Sequence, residues 1–191
     1  MNVIRNAVLT RTEYFDPEND YSFVKLGNAL IKMMMEADAR DREIVIFCIG
    51  TDRATGDALG PLVGDFLTHH SANINVAGTL KNPIHALNMR ENINNLYSYF
   101  DDPFVIAVDA SLGIRHDIGM VTLTNSHIYP GKGVNKKLPA IGDISITGIV
   151  NMSGHTGTGL LQSTRLYMVK NMSDCISQAI IYAFNYLSIP L

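Results

Sequence analysis

Two uninterrupted apolar runs, at residues 44–49 and 104–108, constrain the fold of this chain more than any other feature. A strand that is apolar at every position is buried on both faces, which is typical of a parallel sheet with helices on both sides. Segments with helical spacing lie between such runs, so strand–helix–strand units follow one another along the chain. The pattern predicts an α/β fold, specifically a three-layer α/β/α sandwich with a mainly parallel sheet.

Periodicity and turn signals divide the chain into predicted elements. A polar arm over residues 1–20, which ends in a turn at 16–19, precedes a helix whose apolar stripe covers 23–34. The predicted strands are 44–49, 76–80, 104–110, 119–124 and 144–150, and the other predicted helices are 57–70, 88–100 and 160–187. A glycine-containing loop at 129–137 is long enough to be functional, and residues 153–159 have the most flexible composition.

Composition indicates one domain over residues 1–191, because 47% of the residues are hydrophobic and neither a repeat nor a shift in composition divides the chain. The net charge of -3 gives no electrostatic reason to expect a nucleic-acid partner. Residues 1–15 contain no leader signature and no apolar stretch reaches about 18 residues, so we expect no membrane-spanning segment. Cys48 and Cys175 fit two reduced thiols, so we expect a cytoplasmic protein. The charge is compatible with a protein or peptide substrate, and a homo-oligomer is possible.

Two aspartates, Asp57 and Asp109, follow hydrophobic strands in the sequence. In open α/β sheets the crevice beyond the carboxyl ends of the strands is where ligands bind, so these carboxylates are the candidate catalytic residues. Each has a structural alternative. Asp57 lies at the predicted start of a helix, where it could be a cap, and Asp109 could be a buried carboxylate held by backbone amides.

Two carboxylates that approach each other raise one another's proton affinity, so the pair would hold one proton between them near neutral pH. Such a dyad can activate water. One carboxylate would take a proton from the water that attacks a peptide carbonyl, while its protonated partner would donate to the carbonyl oxygen or to the leaving amine.

Basic residues near these acids are candidate substrate contacts. Arg53 shares a loop with Asp57, and its alternative is a surface ion pair with a loop acid such as Asp52. The only basic cluster, Lys132, Lys136 and Lys137, lies in the 129–137 loop, where a solvated loop is the alternative to substrate capture.

His127 is the best placed of the six histidines to join the aspartates at a metal or a proton relay, because it follows the predicted strand 119–124. A lone histidine at a loop entry is more often a surface residue than a ligand. His85, His155 and the His69–His70 pair are weaker candidates. Cys48 is expected to be inert in its apolar strand, and the glycines at 56–64 match no nucleotide-binding motif.

Three motifs in the same order resemble the sporulation-associated YyaC-like family, a relative of the spore germination protease. They are CIGTDR at 48–53 continuing to GDALGPLVG at 56–64, VDA at 108–110, and IYPGKGVNK at 128–136. The third is similar to the Pro-Gly-x-Gly loop of the germination protease. The resemblance spans about residues 43–151, which is the protease-like core of the chain.

This resemblance implies the fold of the hydrogenase-maturation endopeptidases, an α/β/α sandwich of the phosphorylase/hydrolase-like type. It implies that the two essential aspartates of the germination protease correspond to Asp57 and Asp109. In the hydrogenase-maturation relatives two acids and a histidine bind a metal. The same ligands here would be Asp57, Asp109 and, as an approximate positional match, His127.

The leading hypothesis is a metal-free, aspartate-dependent endopeptidase that acts in sporulation or germination. Asp57 and Asp109 would be catalytic, and the 129–137 loop with Tyr129, Lys132 and Lys136 would border the substrate cleft beside Arg53. Two alternatives stay open. One is a non-catalytic sporulation protein that binds a peptide or partner in a protease-like cleft, and the other is a maturation-type peptidase that depends on a divalent metal such as Ni²⁺ or Zn²⁺.

Overall fold

A six-stranded mixed sheet forms the centre of the molecule. The computed structural model describes residues 9–71, 73–130, 139–153, 161 and 163–187. In chain order the strands are β1 (Thr12–Phe15), β2 (Ile44–Cys48), β3 (Asn75–Ala77), β4 (Phe104–Gly113), β5 (Val121–Thr124) and β6 (Ile144–Met152). Across the sheet their order is β1-β5-β6-β4-β2-β3.

Strand direction defines two edges of this sheet. β3, β2, β4 and β6 pair in parallel, whereas β5 is antiparallel to both of its neighbours, β6 and β1. Five strands therefore run one way and β5 alone runs the other way. We call the side on which β2, β4 and β6 end the carboxyl edge. The end of β5 lies at the opposite side, the amino edge.

Helices cover both faces of the sheet. They are α1 (Ser22–Glu36), α2 (Leu59–His70), α3 (Met89–Tyr99) and α4 (Leu166–Tyr186). Apolar residues of α1, α2 and α4 share one core cluster with the sheet, and apolar residues of α3 share a second cluster with the other face. The predicted three-layer α/β/α sandwich with a mainly parallel sheet is confirmed.

The side chains of the two central strands alternate between these clusters, as the pleat requires. In β4, Ile106 and Val108 lie in the cluster on the α2 side, whereas Val105 and Ala107 lie in the cluster on the α3 side. Both sets are completely buried. By the same alternation Asp109, two residues after Ala107, is on the α3 side of the sheet.

The predicted elements overlap the observed ones, with three informative differences. Four residues of the predicted polar arm, Thr12–Phe15, instead form edge strand β1. The predicted helix at 57–70 begins as a separate 3₁₀ turn, Thr55–Ala58, before α2. β4 does not end at Ala110, as predicted, but continues to Gly113, because it stays paired with β6.

Other expectations concern the cysteines, the membrane and two loops. Cys48 and Cys175 are buried free thiols, and burial raises the pKa of both, that of Cys175 to about 11. Within the described part of the chain, no helix combines the length and the apolar character that crossing a membrane requires. Lys132, Lys136, Lys137 and His155 lie outside the described residues.

Candidate active site

Close packing between α2 and the ends of the central strands builds the floor of the site. A Cβ atom added at Gly60 would meet the carbonyl oxygen of Ile49, and one added at Gly64 would meet the carbonyl oxygen of Gly78. The two glycines are one helical turn apart, so together they let the backbone of α2 lie directly against the strand ends. The GDALGPLVG motif therefore fixes the start of α2 at the carboxyl edge.

Asp57 is held in the 3₁₀ turn that precedes α2. The amide of Thr51 donates to the carbonyl oxygen of Asp57 at 3.0 Å, and the amide of Asp57 donates to the carbonyl oxygen of Ala54 at 3.0 Å. The residue at the N-cap position of α2 is Ala58, and no side-chain cap hydrogen bond is formed there. Asp57 therefore does not act as the helix cap, and its carboxylate is available for another role.

Asp109 lies in the middle of β4, at the level where β2 stops. β2 pairs with β4 as far as Cys48 opposite Val108, whereas β4 remains paired with β6 beyond Asp109. The amide of Ala110 donates to Oδ1 of Asp109 at 2.8 Å. The regular pairing of β2 with β4 thus ends one residue before Asp109, and both candidate acids lie at this carboxyl edge.

The electrostatics join the two carboxyl groups in one site. Burial raises the pKa of Asp109 well above its ordinary value, the charge of Asp57 raises it further, and the hydrogen bond from Ala110 lowers it. Burial also raises the pKa of Asp57, while a backbone hydrogen bond from Thr51 and the charge of His85 lower it. Both shifts favour the protonated form, and the shift of Asp109 is the larger of the two, so the surroundings favour a proton on Asp109 more than on Asp57.

Asn in place of Asp109 is expected to stabilise the protein at neutral and mildly alkaline pH. Because the folded-state pKa is raised, the stability that this carboxyl contributes is greatest below the ordinary Asp pKa of about 3.9 and is lost as pH rises through the raised pKa. Asp109→Asn removes that loss. We expect a gain in the free energy of unfolding of about 1–2 kcal/mol, shrinking toward zero in acid.

Urea unfolding of Asp109→Asn and of the parent at several pH values measures this gain. The matched control is Asp101→Asn, since Asp101 is an exposed residue of the turn before β4. That variant should follow the parent at every pH. A change in stability that is the same in acid and at neutral pH would contradict the assigned electrostatics of Asp109.

His85, one of the weaker candidates from the sequence, lies near Asp57 in the structure. It follows Ile84, which forms a parallel bridge with Ile49 directly after β2. The structure thus brings His85 to the carboxyl edge, close enough for its charge to lower the pKa of Asp57. In the sequence His85 is a lone histidine in a polar loop. This signal is too weak to select His85 from the six histidines.

Hydroxyl groups line the sheet next to Asp109. Thr147 lies opposite Asp109 in the parallel register of β4 and β6. Its Oγ1 lies 3.2 Å from Oγ of Ser111 and 2.8 Å from Oγ1 of Thr122, both within hydrogen-bond distance. Since facing residues of paired strands project from the same side of a sheet, these hydroxyls lie on the same face of the sheet as Asp109.

Among the other described candidates, His127 and Tyr129 lie away from this edge, whereas Arg53 shares the loop of Asp57. His127 follows β5, the strand that runs opposite to the others, so it lies at the amino edge, away from Asp109. Its Nε2 is 2.9 Å from the hydroxyl of Tyr129, and both side chains are exposed. Arg53 is exposed on the loop that carries Asp57, and the structure gives it no ion pair with Asp52 or any other described residue.

The position of His127 at the amino edge also bears on the metal-dependent alternative. Asp57, Asp109 and His127 do not form a ligand set, because strand direction separates the histidine from the acids. Across the described ranges, no three His, Cys, Asp or Glu side chains are grouped so that they could hold a metal ion. The described residues therefore do not fit a Ni²⁺ or Zn²⁺ centre at the acid pair.

Comparison with known proteins places the chain in a family. The family described as "Protein of unknown function (DUF1256)" matches residues 14–179. The chain belongs to this family. It is also 46% identical over 143 residues to the uncharacterized protein YyaC of Bacillus subtilis (strain 168), which covers 74% of this chain and 70% of YyaC. The recognition of a YyaC-like sequence is confirmed.

A solved structure shares the fold of this DUF1256 member. It is the NiFe hydrogenase maturation protease HycI from Thermococcus kodakarensis KOD1, with a TM-score of 0.56 and 17% sequence identity. The match covers 82% of this chain and 99% of HycI. The predicted hydrogenase-maturation-protease fold is thereby confirmed, and at this level of identity the likeness concerns the fold alone.

Proposed function

We propose that this protein is an aspartate-dependent endopeptidase that hydrolyses peptide bonds with the pair Asp57 and Asp109. One observation carries the proposal. Two partly buried carboxyl groups from separate segments converge at the carboxyl edge, where the charge of one raises the pKa of the other. Carboxyl pairs whose environments separate their proton affinities supply an acid and a base to the same reaction.

The two groups have different roles in the proposed reaction. Asp57 is the general base, because burial raises its pKa but Thr51 and His85 oppose this shift, and its pKa is raised less than that of Asp109. Asp109 is the general acid, because burial and the neighbouring charge favour its protonated form. The two roles are therefore assigned from the surroundings of each carboxyl group. The groups that favour the charged form, Thr51 and His85, act on Asp57 and not on Asp109.

The reaction adds one water molecule across a peptide bond. Asp57 takes a proton from water as the water oxygen attacks the carbonyl carbon, and Asp109 donates its proton to the carbonyl oxygen. In the second step the C–N bond breaks, Asp57 delivers its proton to the leaving nitrogen, and Asp109 recovers a proton from the geminal hydroxyl. Both acids return to their starting states, and no metal takes part in either step.

The setting of this activity is also a proposal. The resemblance of the motifs at 48–64, 108–110 and 128–136 to the YyaC-like and germination-protease families supports a role in sporulation or germination, in the cytoplasm of the sporulating cell or spore. A protein or peptide substrate fits a site that has hydroxyl groups on the same face of the sheet as Asp109. Arg53, Lys132 and Lys136 remain predicted substrate contacts, whereas Tyr129 follows β5 to the amino edge, away from the acid pair.

A search for new protein termini tests the proposal. The purified protein is incubated with a heat-denatured extract of sporulating cells, with and without EDTA, and new N termini are identified by mass spectrometry. We expect a discrete set of new termini that EDTA does not reduce. If the parent creates no new termini, the peptidase function is overturned in favour of a partner-binding role. If EDTA abolishes them, the metal-free mechanism is overturned.

A further inference from the structure

The loop that carries His85 is anchored at the same point as the loop that carries Asp57. The amide of Gly50 donates to the carbonyl oxygen of Ile84 at 2.7 Å, and the next amide, that of Thr51, donates to the carbonyl oxygen of Asp57 at 3.0 Å. Two consecutive amides at the end of β2 therefore hold the two segments side by side. A shift of either segment would break one of these bonds.

The loop around His85 is also pinned internally. Oδ1 of Asn88 accepts a hydrogen bond from the amide of His85 at 2.8 Å, and Nδ2 of Asn88 donates to the carbonyl oxygen of Pro83 at 3.0 Å. Asn88 is itself the residue before α3. His85 thus has a fixed backbone position that is tied to a helix and to the strand end.

Hydrogen bonding determines which ring nitrogen of His85 carries the proton. Nδ1 lies 3.3 Å from the amide of Leu87, which donates to it, so the neutral ring has its proton on Nε2. A protonated ring keeps that proton and gains a second one on Nδ1, so it gives up the hydrogen bond from Leu87. His85 therefore presents an Nε2–H group in either state, whereas a ring with its proton on Nδ1 alone would lack a donor at Nε2.

We propose that His85 is a positioning residue of the acid pair, which holds Asp57 as the carboxylate and so leaves the shared proton on Asp109. His85 makes the proton affinities of the two acids different, because its charge acts on Asp57 only. Among the described residues, the charge of His85 affects Asp57, whereas Asp109 is influenced by Asp57 and Ala110. The consequence for cleavage rests on the proposed peptidase function, but the effect on Asp57 does not.

His85→Ala and His85→Gln test the inference without assuming cleavage. The chemical shift of the Asp57 carboxyl carbon is followed by NMR against pH, with Asp57→Asn used to assign the signal. Because the favourable charge is lost, His85→Ala should raise the pKa of Asp57. His85→Gln keeps an N–H donor and should fall between His85→Ala and the parent. An unchanged Asp57 titration in a folded His85→Ala variant overturns the proposal.

Cleavage provides the second measurement. Since Asp57 must be ionised to act as the base, His85→Ala should lose about tenfold in kcat/KM at mildly acidic pH and much less at alkaline pH. His116→Ala is the control, because His116 is an exposed residue of the 3₁₀ turn after β4. An equal loss at all pH values would indicate a structural role only. A shifted Asp57 titration without any cleavage would overturn the peptidase and leave the positioning role intact.

Discussion

Asp57→Asn and Asp109→Asn are each expected to reduce peptide cleavage by about 10²–10⁴-fold while the protein stays folded. Asn keeps the size of the side chain and can still accept the hydrogen bond that Ala110 donates at position 109. It cannot take or give the proton that the reaction needs. Because the two acids act as one unit, the double variant should lose little more than either single variant.

Rates measured on a peptide that spans an identified cleavage site check this result, with circular dichroism as the folding control. Asp101→Asn serves as the matched acid substitution and should keep the parental rate, since Asp101 is exposed. Parental cleavage by either folded dyad variant would remove the acid pair as the catalyst. Strictly multiplicative losses in the double variant would show that the two acids act independently.

The central strands of this fold could be read from the sequence because their signal is local. β2 and the first half of β4 are apolar at every position, and full burial of Ile46, Phe47 and Ile106 confirms that both faces of the sheet are covered. β1 is different. Its four residues are half-buried or exposed in alternation, and it exists because β5 offers an antiparallel partner far along the chain.

The direction of β5 determines that His127 and Tyr129 lie away from the two aspartates. In a wholly parallel sheet a residue after β5 would reach the carboxyl edge, and this expectation favours His127. The short connection between β4 and β5 reverses the chain, so β5 runs antiparallel to β6 and carries His127 and Tyr129 to the amino edge. The sequence pattern of a four-residue strand holds no information about its direction.

Pairing between residues far apart in the sequence also explains why the sequence pattern does not single out His85 as a site residue. Its place depends on the bridge between Ile84 and Ile49 and on one hydrogen bond to Gly50. Neither contact leaves a periodic pattern in the sequence. The aspartates were found because each follows an apolar strand, whereas His85 follows a polar turn, Thr79 to Asn82, that gives no indication of a sheet edge.

Gly50→Ala is expected to destabilise the protein by about 3 kcal/mol and to reduce cleavage by about a hundredfold. Gly50 has a φ of 139°, a region that residues with a Cβ atom rarely adopt. An added Cβ would also meet the carbonyl oxygen of Asp57, the atom that accepts the hydrogen bond from Thr51. The loop must therefore move, and Asp57 moves with it.

Gly119→Ala is the matched control for this prediction. Its φ of 94° also favours glycine, but among the described residues an added Cβ there would find only Sδ of Met168, at 3.7 Å. It should therefore cost only the backbone strain, about 1 kcal/mol, and leave cleavage near the parental rate. Urea unfolding and kcat/KM of both variants separate the two effects. Equal losses of activity in the two would mean that backbone conformation, and not the contact with Asp57, makes Gly50 necessary.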